Sequence, residues 1–389
     1  MRTTGLFSQQ LLAGARNCVL GAGGVQHGQK VLILNLVDHL YWPTDELAVE
    51  ILASVAQSAG AEVDVLWTLG GPTGMDSGYW DEVPRITLGA IQAADIVISN
   101  TKRIMRPQKA IREAMFERGV VWVRNMCTTA GQLSSEWARV PVLLTDEIYS
   151  RVGSILDNAK TWRVTHPNGT DISGKIGAVS KIGVGLKSHS TRQLKDQNYR
   201  VFPQGAHAPV TSEAANGVIV LEWMLPAQAK FLRVPQVKFS NPLTVRVVDN
   251  RMVEFEGGPE AEQFKRFYES LEPHLGDDAW NLSGWHAGIN PKARLNESPA
   301  VFPEAWAEGP HNHPWGLHFH MGGSMTREYD YPYMWHVSSF IGERATVYID
   351  EKKLYDSGQL SVLDEPKIRS LAAEYGDPEV ILSTVPLSG

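Results

Sequence analysis

The chain reads as a mixed α/β protein, with a parallel α/β domain over residues 1–160 followed by a β-rich domain over 161–389. Three observations predict this. The first part alternates continuous apolar runs with helical patterns, the order expected of a parallel sheet covered by helices. The second part replaces that rhythm with short runs set between turn signals, as in antiparallel sheets. A length of 389 residues suits two domains or one large one.

The elements follow in order. Gly21-Ala22-Gly23-Gly24 precedes the first strand and lacks a following Gly-Lys-Ser/Thr, so it reads as a turn rather than a phosphate loop. Val31-Leu32-Ile33-Leu34-Asn35-Leu36 is a run suited to a strand buried on both faces. A helical pattern covers Thr44 to Ser58, and Ala61 to Trp67 is the next strand. A helix over Pro84–Ala93, a strand over Asp95–Asn100, a helix over Pro107–Arg118 and a strand over Val120–Arg124 continue the alternation. A helix at about Asp146–Asn158 leads into the second half. Turn signals then multiply at Pro167-Asn168-Gly169, Asp171 to Gly174, Asn216-Gly217, Asp249-Asn250 and Asp356-Ser357-Gly358. Between them, Val218–Trp223, Thr244–Val248, Val253–Phe255 and Thr346–Ile349 read as strands, with one helix at Pro259–Leu271.

Composition narrows the function. A 43% hydrophobic content is enough to bury a real core. A net charge of −7 attracts neither nucleic acid nor acidic lipid. The two cysteines, Cys18 and Cys127, form no Cys-x-x-Cys pair, so a disulfide framework and a thiolate zinc site are not expected, and a reducing cytoplasm fits. The N-terminus lacks the apolar core of a secretory signal. No apolar run approaches the ~18 residues of a membrane span.

The histidines carry the chemistry. Six of the twelve, His286, His311, His313, His318, His320 and His336, fall within the stretch from 286 to 336. Histidine is the commonest metal ligand. In Leu-His-Phe-His-Met-Gly-Gly, His318 and His320 stand two apart, so on a strand both imidazoles share one face and Phe319 takes the other. His286 lies at a strand end before a Gly-rich turn, and His336 follows Tyr331-Pro332-Tyr333-Met334-Trp335. These four are the candidate metal ligands. Trp285, Tyr329, Tyr333, Trp335 and Ser338 are candidates to line a pocket for a flat substrate. His207 and Glu213 are candidate catalytic bases or additional ligands. His311-Asn312-His313-Pro314, among prolines and glycines, reads as a solvated loop.

Several segments resemble a known family when taken in order. They are Ala93-Ala94-Asp95-Ile96-Val97, Asn216 to Leu221, Gly257-Gly258-Pro259-Glu260-Ala261-Glu262, Gly288 to Arg294, His318 to Gly322, and His336 before the Thr346–Gly358 hairpin. Together they resemble the aminopeptidase T-like metallopeptidases, and look closest to the non-peptidase relatives in that superfamily, the 2,5-dihydroxypyridine 5,6-dioxygenases. The resemblance implies an N-terminal α/β domain, a C-terminal metal-binding domain and a homo-oligomer. Its ligand pattern transfers unevenly. His336 matches the histidine of a His-x-Asp motif, but Ser338 stands where the aspartate belongs. His318 matches the histidine of the peptidases' His-x-Ala-x-Gly segment. Gly284 occupies a position where the peptidases carry glutamate and the dioxygenases histidine, while His286 and His320 are additions.

A two-metal hydrolase needs carboxylates to bridge and neutralise its ions. Gly284 and Ser338 remove two such positions, and a site dominated by imidazole suits one divalent ion. Taken with the resemblance, the reading is a mononuclear non-haem iron dioxygenase that cleaves a hydroxylated N-heterocycle or related aromatic ring. Its expected partners are a small aromatic substrate and O2, and its expected cofactor is Fe(II), with Mn(II) or Zn(II) as other choices. The alternative is a metal-dependent hydrolase of a small amide or peptide, with Glu213 as base.

Overall fold

The computed structural model describes residues 5–37, 44–69, 83–100, 109–178, 198–224, 238–294, 303–324 and 337–385. The chain forms two compact units. The first comprises residues 1–146, 192–204 and 294–306, and the second comprises 147–191, 205–293 and 307–389.

The first unit is built on a parallel sheet. Strands β1 (Lys30–Val37), β2 (Glu62–Leu69), β3 (Ile96–Asn100) and β4 (Val121–Asn125) are joined by helices α2 (Glu46–Ser58), α3 (Arg85–Ala93) and α4 (Lys109–Arg118), after an opening helix α1 (Gly5–Arg16). The order is β2-β1-β3-β4-β7, every pair parallel, and the fifth strand β7 (Tyr199–Phe202) comes from far along the chain. β3 is buried at every position, as its Ile-Val-Ile run requires when helices cover both faces. The turn expected at Gly21–Gly24 starts later: Asn17–Ala22 continue α1 as a wide helical segment, and the chain leaves it at Gly23. Both cysteines are buried and free, each raised well above the usual thiol range by burial.

Short helices α5 (Ala130–Leu133) and α6 (Glu136–Arg139) follow, and α7 (Val142–Asp157) carries the chain onward. Among the described residues, the second unit is built on an antiparallel sheet of eleven strands. Its strands are β5 (Thr161–Thr165), β6 (Asp171–Ile176), β8 (Val210–Met224), β9 (Lys238–Val248), β10 (Arg251–Glu256), β11 (Leu282–His286), β12 (His318–Met321), β13 (Val337–Phe340), β14 (Thr346–Ile349), β15 (Lys352–Asp356) and β16 (Gln359–Leu360). Helix α8 (Pro259–Leu275) opens with Pro259 after Gly258 and carries Glu260 and Glu262 in its first turn, which favours that end of the helix dipole. Helix α9 (Pro303–Asn312) precedes β12.

The long strand β8 organises this unit. Its first residues pair with β11 and its last with β13, while β12 joins β11 to β13. The four strands thus form a closed ring. One face of β11 and β12 is apolar: Trp285 and Phe319 oppose each other in register, and both pack on Trp162 of β5 at ring separations of 6.3 Å. All three are buried. Burying side chains of this size contributes roughly 2–3 kcal/mol each before the entropy of ordering them, so this core holds the strands that carry the histidines. Among the described residues, no helix is long and apolar enough to cross a membrane.

Candidate metal centre

Strand alternation turns the histidines of β11 and β12 to the face opposite this core. His286 opposes His318, and Gly284 opposes His320. Directly opposed residues of an antiparallel pair project from the same face, so the three imidazoles gather on one side while Trp285 and Phe319 fill the other. The potential ligand atoms of His286, His318 and His320 all lie within 4.8 Å of one another. His318 is fully buried, and His320 and His286 are 6% and 9% exposed. The face continues sideways in register, with Ser338 of β13 opposite His320 and Thr211 of β8 opposite Gly284. Both hydroxyl residues are buried, and the Thr211 Oγ1 has no hydrogen-bond partner.

Gly284 has a structural reason for lacking a side chain. A Cβ there would stand 2.4 Å from the Val210 carbonyl oxygen. No ligand can project from this position while β8 packs so closely, and His286 supplies an imidazole one step further along the face.

The backbone fixes the rings. Nε2 of His286 meets the carbonyl of His207, so that nitrogen carries the proton and Nδ1 carries the lone pair. Nδ1 of His318 donates to the Gly316 carbonyl at 3.3 Å, which leaves the lone pair on Nε2. That Nε2 is buried and has no hydrogen-bond partner. Metal-binding histidines characteristically hold their second ring N–H on a carbonyl in this way. Burial, reinforced by His311 and His286 nearby, holds the His318 imidazole well below its ordinary pKa, so it is neutral and able to ligate.

His207 is buried beneath this group, but its ring nitrogens are engaged. Nδ1 donates to the Ala208 carbonyl at 2.6 Å, and Nε2 accepts from the Ala287 N–H at 3.2 Å. Its ring stands edge-on to His286 at 5.2 Å. Glu213 is exposed on β8 opposite Lys175 of β6.

Two expectations are corrected. Trp285, proposed for a substrate pocket, faces the core and is fully buried against Trp162. The His311–Pro314 segment is not a solvated loop. His311 lies in the last turn of α9, with its ring 4.4 Å from that of His318 and 5.6 Å from that of His286. His313 is fully buried, bonded from Nε2 to the Val385 carbonyl at 2.8 Å, and it accepts the Trp315 N–H on Nδ1 at 3.1 Å. Gly288 makes this approach possible, since a Cβ there would stand 2.1 Å from the backbone of Asn312. Phe340, fully buried, packs beside His318 at 4.7 Å and stacks on Trp223 at 3.6 Å. Sequence reasoning missed His311, Thr211 and Phe340. Tyr329, Tyr333, Trp335 and His336 lie outside the described residues.

A family model described as NicX, 2,5-dihydroxypyridine 5,6-dioxygenase, matches residues 19–302. The chain belongs to this family. It is therefore an enzyme of the ring-cleaving dioxygenase class, and a hydrolase is not favoured. The solved structure of the 2,5-dihydroxypyridine dioxygenase from Pseudomonas putida KT2440 shares the fold, with a TM-score of 0.63 at 14% identity, covering 92% of this chain and 98% of that one. A ureidoglycine–glyoxylate aminotransferase from Bacillus subtilis aligns over 31% of this chain and 28% of its own, at 21% identity and a TM-score of 0.20, too low to carry an argument. No curated protein matches the chain. Of the three clustered histidines, only His286 falls inside the stretch matched by the NicX model; His318 and His320 lie beyond it. The donor set could hold a metal ion, since it groups three imidazoles and includes a buried His318 nitrogen that nothing in the protein satisfies.

Proposed function

We propose that this NicX-family enzyme is a mononuclear, non-haem Fe(II) dioxygenase that opens a hydroxylated N-heteroaromatic ring. His286, His318 and His320 would hold the ion. The observation that carries this reading is the His318 Nε2: buried, deprotonated by the tautomer its Gly316 bond selects, and grouped with two further imidazoles. When bound, iron supplies Lewis acidity and the one-electron chemistry that dioxygen requires.

The chain's own residues do the rest. Burial keeps His318 neutral, so no protonated ring competes with the ion. Three neutral ligands leave a divalent charge uncompensated, which favours a substrate arriving with an ionised hydroxyl. Ser338 and Thr211 offer hydroxyl groups on the same face as the histidines, suited to hold and orient polar atoms of that substrate. Phe340, stacked on Trp223 and fully buried, packs beside His318 and helps hold its ring. His207 is assigned to holding His286 through its carbonyl rather than to taking a proton, because both of its ring nitrogens are already bonded to the backbone. Glu213 is a weaker base candidate than the notional hydrolase required, since it is exposed on its strand. Tyr329, Tyr333, Trp335 and His336 remain assigned to the pocket and ligand set by sequence.

Among the described residues the clustered donors include no carboxylate, which disfavours a two-metal hydrolase. Kinship with the wider aminopeptidase T-like superfamily, a homo-oligomeric state and a cytoplasmic location belong to the same proposal and rest on the quoted segments and composition. The test is elemental analysis of anaerobically purified protein, paired with O2 uptake on 2,5-dihydroxypyridine. About one iron per chain with O2 consumed would support the reading. Two zinc or manganese ions per chain, with amide hydrolysis and no O2 uptake, would sink it.

A further inference from the structure

The parallel sheet of the first unit carries polar side chains on both faces near its carboxyl end, and the two faces differ in kind. On one face, Asn35, Asn100 and Asn125 sit on adjacent strands and satisfy one another. Asn100 Nδ2 donates to Asn35 Oδ1 at 2.8 Å, and Asn125 Nδ2 donates to Asn100 Oδ1 at 2.7 Å. Asn125 also closes on Cys127, donating to its carbonyl at 3.0 Å and accepting its N–H at 2.9 Å. This row needs nothing further.

Arg124 is one residue earlier on β4 and so belongs to the other face, in register with Ser99 of β3 and Val201 of β7. It is 92% buried, being 8% exposed. Its Nε and Nη2 are buried with no hydrogen-bond partner, and among the described residues no carboxylate pairs with it. An arginine keeps its charge in a protein, and a buried unpaired charge is among the most costly groups a fold can carry. An orphaned group of this kind calls for a missing partner.

The two orphaned donors say which partner. Nε–H and Nη2–H form the side-on edge of the guanidinium, two parallel donors that match two oxygens of one carboxylate or phosphate. The location agrees. Arg124 stands near the carboxyl end of β4, one strand from the β1/β3 position where strand order reverses, and the carboxyl ends of strands are where open α/β sheets receive ligands. Helices α3 and α4, of nine and ten residues, return between parallel strands and so start at that same end.

We propose that Arg124 anchors a binding site for a small oxyanion, a carboxylate or phosphate group, at the carboxyl end of the first sheet. Arg124 belongs to the first unit and the histidine cluster to the second, and the proposal does not rest on the reaction assigned to that cluster. The test is thermal unfolding of the intact protein, as purified, in chloride, acetate and inorganic phosphate at equal ionic strength. Wild type, R124M, R124K and H318A are compared. Acetate or phosphate is expected to raise the wild-type Tm by several degrees beyond any general salt effect, which R124M reports. A response to acetate alone identifies a carboxylate ligand, and one to phosphate alone a phosphoryl group. R124M is expected to lose the specific rise while melting at or above wild type in chloride, because it removes an unpaired buried charge. R124K keeps the charge without the fork and is expected to retain less than half of the rise, which preserves the test if R124M does not fold. H318A is expected to keep it in full. The proposal is overturned if R124M tracks wild type in every salt, if R124K responds as wild type does, or if H318A abolishes the rise.

Discussion

His313 and His318 lie five positions apart, both fully buried and both with a pKa pushed down by burial, yet the surroundings of each make them different residues. In the turn after α9, His313 spends both nitrogens on backbone, one on the Val385 carbonyl and one on the Trp315 N–H. On β12, His318 spends one on Gly316 and leaves the other buried and unsatisfied beside two more imidazoles. Burial alone therefore does not mark a ligand. What marks it is a nitrogen with its lone pair fixed by the tautomer and no protein group to receive it.

The largest effect should come from His318→Ala. Loss of one of three imidazoles is expected to remove most of the bound metal and to lower turnover by about a thousand-fold or more, in line with the cost of losing a group that electrostatic catalysis depends on. His313→Ala should retain metal within about two-fold of wild type, since a side chain that fills its bonds with backbone has no outer-shell partner role to lose. Elemental analysis of both variants tests the contrast, and equal metal loss in the two would break it.

The next effect is on stability. The folded pKa of His313 is lowered to about 4, mainly by burial and against the Val385 bond. At pH well above 6.5, folded and unfolded states are both neutral at this residue and it imposes no pH dependence. As pH falls below 6.5 the unfolded state takes up a proton that the folded state refuses, so stability is lost down to the folded value. The loss over that window is about 3 kcal/mol. Urea unfolding between pH 7 and 4, compared with His313→Asn, should show a shallower slope in the variant, and identical slopes would rule out His313 as the source.

His207→Ala should have a smaller effect. The backbone carbonyl that holds His286 remains, but the ring that pins the Ala287 N–H is lost. Removing an outer-shell support of this kind costs roughly 10–100-fold in metal affinity. Competition against a chelator reads it directly, and an affinity unchanged from wild type would leave His207 with a packing role only.

The sequence shows one part of this arrangement clearly and hides another. The alternation His318-Phe319-His320 is local, and strand geometry alone puts the two imidazoles together with Phe319 in the core. The pairing that brings His286 opposite His318 joins segments far apart in the chain, and alternation within each cannot set the register between them. His311 is misread because Pro310, Pro314 and Gly316 signal a loop, whereas Pro310 is accommodated in the last turn of α9. β8 is visible only in its apolar second half. Val210–Asn216 carries Thr, Ser, Glu and Asn, and its strand character comes from pairing with β6 and β11 rather than from its own pattern. β7 is four residues long and enters the parallel sheet from outside the contiguous first domain, so nothing near it announces the partnership.

Thr211 gives the smallest effect and the sharpest use of the contrast. Its hydroxyl is buried on the histidine face, in register with the one position there that lacks a side chain, and no protein group bonds to it. A buried hydroxyl serving only the fold would lose stability on conversion to valine, by about 1 kcal/mol for a hydrogen bond given up. Thr211 has no such bond, so Thr211→Val should leave stability within about 0.5 kcal/mol of wild type or raise it slightly. If the hydroxyl instead meets the substrate, KM should rise by roughly five- to ten-fold with kcat little changed, the pattern of a contact made equally in the ground and transition states. A stability loss with unchanged KM would make Thr211 a structural residue, like His313, and would confine the functional surface to the strands that carry the imidazoles.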